Sequence, residues 1–309
     1  MTTLSKEAAA YRANLAAMLE AAKEQKNVPP PSVDELRALL EGFAEMATPL
    51  PADTKVEEVS AGGVPALWVT PAEHGKRVLV YYHGGGYVCG SANSHLRIAG
   101  HLGARLNART LVVDYRRAPE NPFPSPIEDA LTAYQFLLDN GHAASEIVFS
   151  GESAGGNLAL ATQLLARERG VPLPAATVVM SPWADLAFEG ESVKTNAEKD
   201  LASNIEVSKG FAAMFIGDTG ADPHNPLMSP VYGNYTGFGP LLVQVGDVEL
   251  VLSDAERIVA AAGKAGVVAE LDVCPEMQHM FQMWAGNMPE ADAALDRLAA
   301  FVNKNAPEA

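Results

Sequence analysis

The fold of this chain is indicated most clearly by residues 146–166, EIVFSGESAGGNLALATQLLA. An apolar strand runs into a helix through a glycine-rich turn, which matches the pattern G-x-S-x-G with Ser153 at its centre. A serine on such a turn is held in a strained backbone conformation that requires small neighbours, and Gly151 and Gly155 meet this requirement. The pattern predicts a nucleophilic serine; the alternative is a glycine-rich turn whose serine has no chemical role.

A second glycine-rich segment, HGGGYVCGS at residues 83–91, follows another predicted strand. Acyl transfer needs N–H donors directed at the oxygen that becomes negative in the tetrahedral intermediate, and consecutive glycines let the main chain approach that oxygen. We predict that these donors are the N–H groups of Gly85, Gly86 and Ala154. The first two residues of the loop are expected to brace it: His83 and Gly84.

This loop does not fit the other common uses of glycine-rich loops. When G-x-G-x-x-G is started at Gly84 and Gly86, the position of the third glycine falls on Cys89. The phosphate-binding pattern G-x-x-x-x-G-K-[ST] does not occur in the sequence, nor does a Cys/His cluster with metal-ligand spacing. The sequence therefore predicts neither a metal nor an organic cofactor.

A serine nucleophile needs a general base, and the chain has seven histidines. His279, within CPEMQHMFQMW, lies in a predicted loop between the last strand, 267–273, and the final helix, 289–304. We predict that it is the base. The other histidines have ordinary explanations. We expect His83 to brace the glycine loop and His95 and His101 to lie on the helix that follows it. Three more fall in predicted turns: His74, His142 and His224.

The base needs an acid that orients it, and three carboxylates are candidates. Asp247 and Glu249 follow the predicted strand 240–246, Asp247 nearer to the strand end and Glu249 with the longer reach. Asp185, after the predicted strand 175–180, is the third. Each could instead cap a helix or be a solvated loop charge. Spacing alone leaves the choice open.

Strands and helices alternate around these motifs. Several strands are almost wholly apolar, which is typical of parallel strands covered on both faces. We predict a doubly wound α/β sheet with an antiparallel edge at its start. The predicted strands are 54–60, 64–70, 76–82, 109–114, 145–150, 175–180, 240–246 and 267–273, and the helices between them are 94–108, 126–139, 154–169 and 254–264. Three capping boxes mark predicted helix starts: Ser32/Glu35, Ser125/Glu128 and Ser253/Glu256.

Two regions interrupt the alternation. Residues 4–26 carry one apolar helical stripe, which the prolines at 29–31 end, and a second short helix follows. The connection before strand 240–246 is long and contains a short predicted helix at 205–216, as lids and binding segments often do. We predict N-terminal cap helices over 1–50 and a catalytic domain over 51–309 with a cap insertion at about 184–225.

Composition excludes several classes of function. The 309 residues include 22 basic and 38 acidic side chains, and the resulting net charge of −16 repels nucleic acids. We see no transmembrane stretch, and the start MTTLSKEAAAY lacks the apolar region of a secretory signal. Cys89 and Cys274 lie in apolar contexts, which predicts two buried free thiols. We expect a cytoplasmic protein that binds neither membranes nor nucleic acids.

Five motifs in this order resemble those of the bacterial hormone-sensitive-lipase-like (family IV) esterases of the α/β-hydrolase superfamily. They are HGGGYVCGS, DYRRAPENPFP at 114–124, GESAGG, SPWADL and QHMF, and the resemblance runs from about residue 54 to the C-terminus. It implies an α/β-hydrolase fold with a mostly parallel central sheet, helices on both faces and a helical cap. It also implies the roles given above to Ser153 and His279 and to the three oxyanion donors. A homodimer is implied by analogy alone.

The resemblance also bears on the acid. The family's aspartate lies about thirty residues before the histidine, and this count leads to Glu249 in ELVLSD, which is similar to the family's D-P-L-x-D. We therefore prefer Glu249 and keep Asp247 as the alternative. A second departure is Arg117, where the family's Y-R-L-A-P-E has leucine; we expect it to leave the chemistry unchanged.

The predicted function is a carboxylesterase that hydrolyses short-chain acyl esters through a Ser-His-acid triad and a covalent acyl-enzyme. Its partner would be a small-molecule ester. Two alternatives remain at this point: a hydrolase of a lactone, amide or thioester, and a non-catalytic receptor for small ligands on the same fold.

Overall fold

The computed structural model describes residues 4–24 and 31–308. In this part of the chain, eight strands form one sheet. The strands are β1 (Lys55–Ala61), β2 (Val64–Thr70), β3 (Val78–Tyr82), β4 (Arg109–Val113), β5 (Ile147–Glu152), β6 (Ala176–Met180), β7 (Leu241–Gly246) and β8 (Ala269–Cys274). The helices are α1 (Lys6–Glu24), α2 (Val33–Glu41), α3 (Leu96–Arg105), α4 (Ser125–Asp139), α5 (Ala154–Glu168), α6 (Ser192–Thr195), α7 (Ile205–Ile216), α8 (Leu252–Lys264) and α9 (Pro289–Asn305).

The sheet is mostly parallel and has the strand order β1-β2-β4-β3-β5-β6-β7-β8. β1 pairs antiparallel with β2, and β2 antiparallel with β4, whereas all later pairs are parallel. Every residue of β3, β5, β6 and β7 is buried. The pairing confirms the predicted parallel core with an antiparallel edge. The buried strands are mostly apolar because both of their faces are covered.

Helices cover both faces of the sheet. Buried side chains of α4, α5 and α8 form one hydrophobic core with one face of the sheet, and those of α3 and α9 form a second core on the opposite face. The parallel strands all end at the same edge of the sheet, and the loops that leave this edge are the usual place for a site in such folds.

The remaining helices, α1, α2, α6 and α7, lie outside these two layers. Of the nine residues of α2, none is buried, and α7 buries only Ala212 and Phe215. α1 contacts the loop before α9, where the rings of Tyr11 and Trp284 lie 5.1 Å apart. The short helix predicted at 205–216 is confirmed. The predicted end of the first helix, residues 25–26, and the prolines at 29 and 30 lie outside the described residues.

One of the three predicted capping boxes is present. The Ser32 side chain accepts a hydrogen bond from the N–H of Glu35, whose carboxylate accepts one from the Ser32 N–H. The other two predictions are wrong because both serines lie within their helices and not at the N-cap, and distant residues bind Glu128 and Ser253. Ser125 lies inside α4, and Glu128 pairs with Arg169. The Ser253 hydroxyl accepts a hydrogen bond from the N–H of Ser192.

Membrane-spanning helices, metal-binding clusters and cysteines were sought in residues 4–24 and 31–308. No helix in these ranges is long and apolar enough to cross a membrane. Within the same ranges, no group of three or more His, Cys, Asp or Glu side chains is arranged to hold a metal ion. Cys89 and Cys274 are both buried and free, as predicted.

Candidate active site

Ser153 lies on the turn between β5 and α5. Its backbone has φ 54° and ψ −121°, a left-handed conformation that is strained for a residue with a side chain. The packing around the turn requires glycine at two neighbouring positions. A Cβ atom at Gly155 would overlap the carbonyl oxygen of Tyr82, and one at Gly151 would meet the carbonyl oxygens of Tyr82 and Gly155. The main chain is thus held tightly against β3, with Ser153 at its apex.

His279 reaches Ser153 from the loop between β8 and α9. Its Nε2 atom lies 3.0 Å from the Ser153 hydroxyl oxygen, and its Nδ1 atom lies 2.8 Å from Oε2 of Glu249. The Ser153 and His279 residues are each 8% exposed. The structure therefore brings the predicted nucleophile, base and preferred acid into one hydrogen-bonded chain.

The Glu249 carboxylate is fully buried and both of its oxygens are engaged. Oε2 accepts a hydrogen bond from His279, and Oε1 accepts from the Ser181 hydroxyl at 2.8 Å and the Gly246 N–H at 2.6 Å. These hydrogen bonds fix the direction in which the carboxylate faces the imidazole.

The two other candidate acids bind elsewhere. The Asp247 carboxylate accepts a hydrogen bond from the Glu276 N–H at 2.6 Å. Asp185 pairs with Arg257 and accepts hydrogen bonds from the N–H groups of Ala187 and Glu189. Of the three carboxylates considered from the sequence, only Glu249 contacts His279.

The environment shifts the pKa values of both partners. Burial raises the pKa of Glu249, although the hydrogen bond and positive charge of His279 oppose this. Burial alone would lower the pKa of His279, but the hydrogen bond and negative charge of Glu249 outweigh it and raise the pKa above its usual 6.5. The pair thus favours a protonated imidazole at a higher pH than a free histidine would.

The predicted oxyanion loop lies beside Ser153. Gly85 and Gly86 have φ values of 104° and 64°, a conformation that favours glycine. A Cβ atom at Gly86 would also overlap the ring of Phe211 on α7. Among the described residues, no group of the protein accepts a hydrogen bond from the N–H of Gly85, Gly86 or Ala154. These three donors are therefore available to an oxygen atom of a ligand.

The predicted supporting residues pack behind this loop. His83 stacks on Tyr115 with ring centroids 4.1 Å apart, and its Nδ1 atom lies 2.8 Å from the Gly84 carbonyl oxygen. Burial holds the pKa of His83 well below 6.5, so this ring stays neutral. Arg117 donates a hydrogen bond to the carbonyl oxygen of Gly90, at the far end of the loop.

Sequence reasoning missed a buried polar cluster beneath the loop. Glu152, the residue before the nucleophile, accepts hydrogen bonds from the Gly84 N–H and from the Tyr81 hydroxyl at 2.6 Å. One of its oxygens lies 2.8 Å from Nε2 of His95, which is fully buried. The one sequence signal was an acidic residue at the end of an otherwise apolar buried strand, because such a charge needs partners.

A pocket of about 190 Å³ opens above Ser153. Its floor contains Ser153, His279, Gly85 and Gly86, and its walls are mainly apolar. The covering helices α2 and α7 contribute to these walls together with the loops after β6 and β7. The wall residues include Leu40, Phe43, Trp183, Phe188, Val207 and Phe211.

Known proteins are similar to this chain in sequence. Residues 79–283 match the family model of the alpha/beta hydrolase fold. An acetyl-hydrolase from Streptomyces hygroscopicus is 39% identical over 262 residues, which cover 85% of this chain and 85% of that protein. An esterase from Acinetobacter venetianus is 32% identical over 247 residues, which cover 80% of this chain and 81% of that protein.

Solved structures extend the similarity over nearly the whole chain. The crystal structure of an esterase from the bacterial hormone-sensitive lipase family is 39% identical in sequence and superposes with a TM-score of 0.88. The superposition covers 99% of this chain and 100% of that one. The fold and the family expected from the motifs are thus confirmed. The chain belongs to the bacterial hormone-sensitive lipase family of esterases, which have the α/β-hydrolase fold.

Proposed function

We propose that the protein hydrolyses short-chain carboxylic esters and that Ser153 carries the covalent acyl intermediate. The observation that carries this proposal is the hydrogen-bonded chain from Ser153 through His279 to Glu249 at the floor of an apolar pocket. A receptor for small ligands needs only the pocket, so the hydrogen-bonded series Ser153–His279–Glu249 favours an enzyme over a binding protein.

In the first half-reaction, the Ser153 hydroxyl oxygen attacks the ester carbonyl carbon while His279 Nε2 takes its proton. The carbonyl oxygen becomes negative and accepts hydrogen bonds from the N–H groups of Gly85, Gly86 and Ala154. Each such donor contributes roughly 10²–10³ in rate. The tetrahedral intermediate then collapses, and the alcohol leaves with the proton that His279 returns to it.

In the second half-reaction, water replaces the alcohol. His279 takes a proton from the water as its oxygen attacks the acyl-enzyme, and returns the proton to Ser153 when the carboxylic acid leaves. Glu249 acts through His279 in both steps. Its carboxylate holds the imidazole in the tautomer with the proton on Nδ1 and stabilises the imidazolium that forms.

We further propose that residues 1–50 and about 184–225 form a cap over the catalytic domain, 51–309, and that this cap limits acyl-chain length. Three observations support this. Side chains of α2 and α7 line the pocket, and its volume of about 190 Å³ is below the roughly 300–1,000 Å³ of pockets for drug-sized ligands. The Streptomyces relative is named an acetyl-hydrolase, which fits a small acyl group.

Covalent labelling tests the proposed nucleophile. The purified protein is treated with a fluorophosphonate, and peptide mass spectrometry locates the modified residue, with Ser153→Ala as the control. We expect labelling at Ser153 alone and no turnover of p-nitrophenyl butyrate by the variant. Turnover that survives in Ser153→Ala would reject the proposal.

An ester series tests the proposed chain-length limit on the same protein. We expect kcat/KM for p-nitrophenyl butyrate to exceed that for the palmitate ester by at least about 100-fold, since a chain of sixteen carbons exceeds a pocket of this size. Equal values for the two esters would contradict the limit and leave the nucleophile untouched.

A further inference from the structure

The oxyanion loop, residues 83–91, has an unusual main-chain conformation. Gly85, Gly86, Tyr87 and Gly90 all have positive φ values, and Tyr87 has a φ of 64° despite its side chain. A residue with a side chain keeps such a conformation only where surrounding contacts determine it, whereas a glycine can adopt it or many others without strain. The direction of the free N–H groups in this loop therefore depends on its internal hydrogen bonds and on the contacts that other parts of the chain make with it.

One attachment comes from α2. The Arg37 side chain donates a hydrogen bond from Nε to the Val88 carbonyl oxygen and another from Nη2 to the Ala118 carbonyl oxygen, each at 2.9 Å. The Ala118 N–H in turn donates to the Tyr87 carbonyl oxygen at 2.9 Å. A single guanidinium thus joins the outer side of the loop to the segment behind it.

The contact reaches the proposed oxyanion donor through few bonds. The N–H groups of Val88 and Cys89 both donate to the Gly85 carbonyl oxygen, at 3.1 and 2.8 Å. That carbonyl and the Gly86 N–H belong to one planar peptide unit, so the direction of one sets the direction of the other. Arg37 thus fixes the position of Val88, and the Val88 N–H fixes the direction of the Gly85 carbonyl group. The direction of the Gly86 N–H is fixed with it.

We infer that Arg37 is a positioning residue for the oxyanion hole, so that α2 sets the direction of a catalytic donor as well as covering the pocket. This inference rests on the proposed function of Ser153. α2 buries none of its residues, yet two of its polar side chains one turn apart, Arg37 and Glu41, bind this loop; Glu41 accepts a hydrogen bond from the Ser91 hydroxyl. Arg37 lies outside the set of residues that line the pocket.

The test compares Arg37→Met with Arg97→Met. Arg97 is a matched control because its side chain is 24% exposed, against 20% for Arg37, and it too joins the N-terminal region to the core. It binds the Ala47 carbonyl oxygen and Glu45 and does not contact the loop. Arg37→Lys is a second variant, because lysine keeps the charge near Glu120 but lacks the planar fork that binds two carbonyl groups.

We expect Arg37→Met to lower kcat for p-nitrophenyl butyrate by about 10- to 100-fold with little change in KM, because the donor is misdirected and the pocket is intact. Arg37→Lys should lose less, and Arg97→Met should stay within about threefold of the wild type.

The inhibition constant of a trifluoromethyl ketone with a butyl chain distinguishes a positioning role from a merely structural one. Ser153 adds to its carbonyl carbon, His279 takes the serine proton, and the ketone oxygen becomes an oxyanion. Its inhibition constant should therefore rise in Arg37→Met by about the same factor as kcat falls. Equal kcat losses in Arg37→Met and Arg97→Met, or an unchanged inhibition constant, would overturn the inference. Failure of the proposed role of Ser153 would appear separately, as turnover by Ser153→Ala at the wild-type rate.

Discussion

The central sheet and the helices that cover the pocket contribute to the site in different ways. β3, β5, β6 and β7 bury every residue; Ser153 follows directly after β5, and Glu249 lies three residues after the end of β7. By contrast, α2 buries no residue and α7 buries two. Groups that follow buried strands are held by the packing of the whole core, whereas the covering helices depend on a few contacts. Chemistry should thus be most sensitive to the strand ends and, through Arg37 alone, to α2, whereas the pocket-lining side chains of the covering helices should affect substrate range.

The largest effect is expected at the end of β7. Glu249→Gln keeps the size of the side chain but removes its charge and lets it donate to the imidazole, which favours the wrong tautomer of His279. We expect kcat to fall by about 10⁴, as it does when a triad aspartate is replaced by asparagine. Steady-state kinetics with p-nitrophenyl butyrate measures this.

Asp247→Asn is the control for this substitution, two residues away in the same loop. Its carboxylate binds the Glu276 N–H and does not contact His279, so kcat should stay within about threefold of the wild type. If the two variants exchanged these outcomes, the acid would be Asp247 and the hydrogen-bond chain described above would not be the catalytic one.

A pair of glycine substitutions compares the two regions in terms of stability. Gly155→Ala places a Cβ atom into the main chain of β3, and we expect the free energy of unfolding to fall by more than about 4 kcal/mol. Gly210→Ala on α7 meets no atom within 4 Å, and it should raise that free energy by up to about 1 kcal/mol, because alanine favours helix. Urea denaturation measures both; similar values would mean that the turn after β5 is no more constrained than α7.

The pH dependence tests the coupling between His279 and Glu249. His279 acts as a base only when neutral, and Glu249 raises its pKa above 6.5. We therefore expect kcat/KM to rise with pH, about tenfold per pH unit well below the midpoint, and the midpoint to lie above 6.5. In Glu249→Gln, the residual activity should have a lower midpoint, because the charge that favours the imidazolium is gone. A midpoint that does not move would contradict this coupling.

The sequence was informative where one local pattern carries both structure and chemistry. The buried strands were recognised because each is a continuous apolar run, and Ser153 because its glycine neighbours are required by the turn itself. Glu249 was preferred over Asp247 by resemblance alone. Its contact with His279 depends on hydrogen bonds from Ser181 and Gly246, which orient the carboxylate. Ser181 lies at the end of β6, and no local sequence pattern predicts that it is close to Glu249.

The features that were missed or wrong share this cause. Glu152 and His95 are far apart in sequence, and their contact exists only because β5 lies beside β3, which leads into the glycine loop. The capping boxes at Ser125 and Ser253 have the right local pattern, but Arg169 and Ser192 provide partners from distant elements. Hydrogen bonds between side chains of different elements cannot be predicted from spacing.

The smallest effect is expected on α7, where Phe211 packs against Gly86 and lines the pocket. Phe211→Ala should enlarge the pocket and raise the ratio of kcat/KM for the octanoate ester to that for the butyrate ester by about tenfold, as expected if about two more methylenes are buried at about 0.8 kcal/mol each. Met214→Ala is the control, because Met214 lies one turn further along α7, is likewise half-buried, and does not line this pocket. The ratio should not change in that variant. An equal rise in both would mean that loosening α7 anywhere widens the substrate range, and that no single side chain on the covering helices sets it.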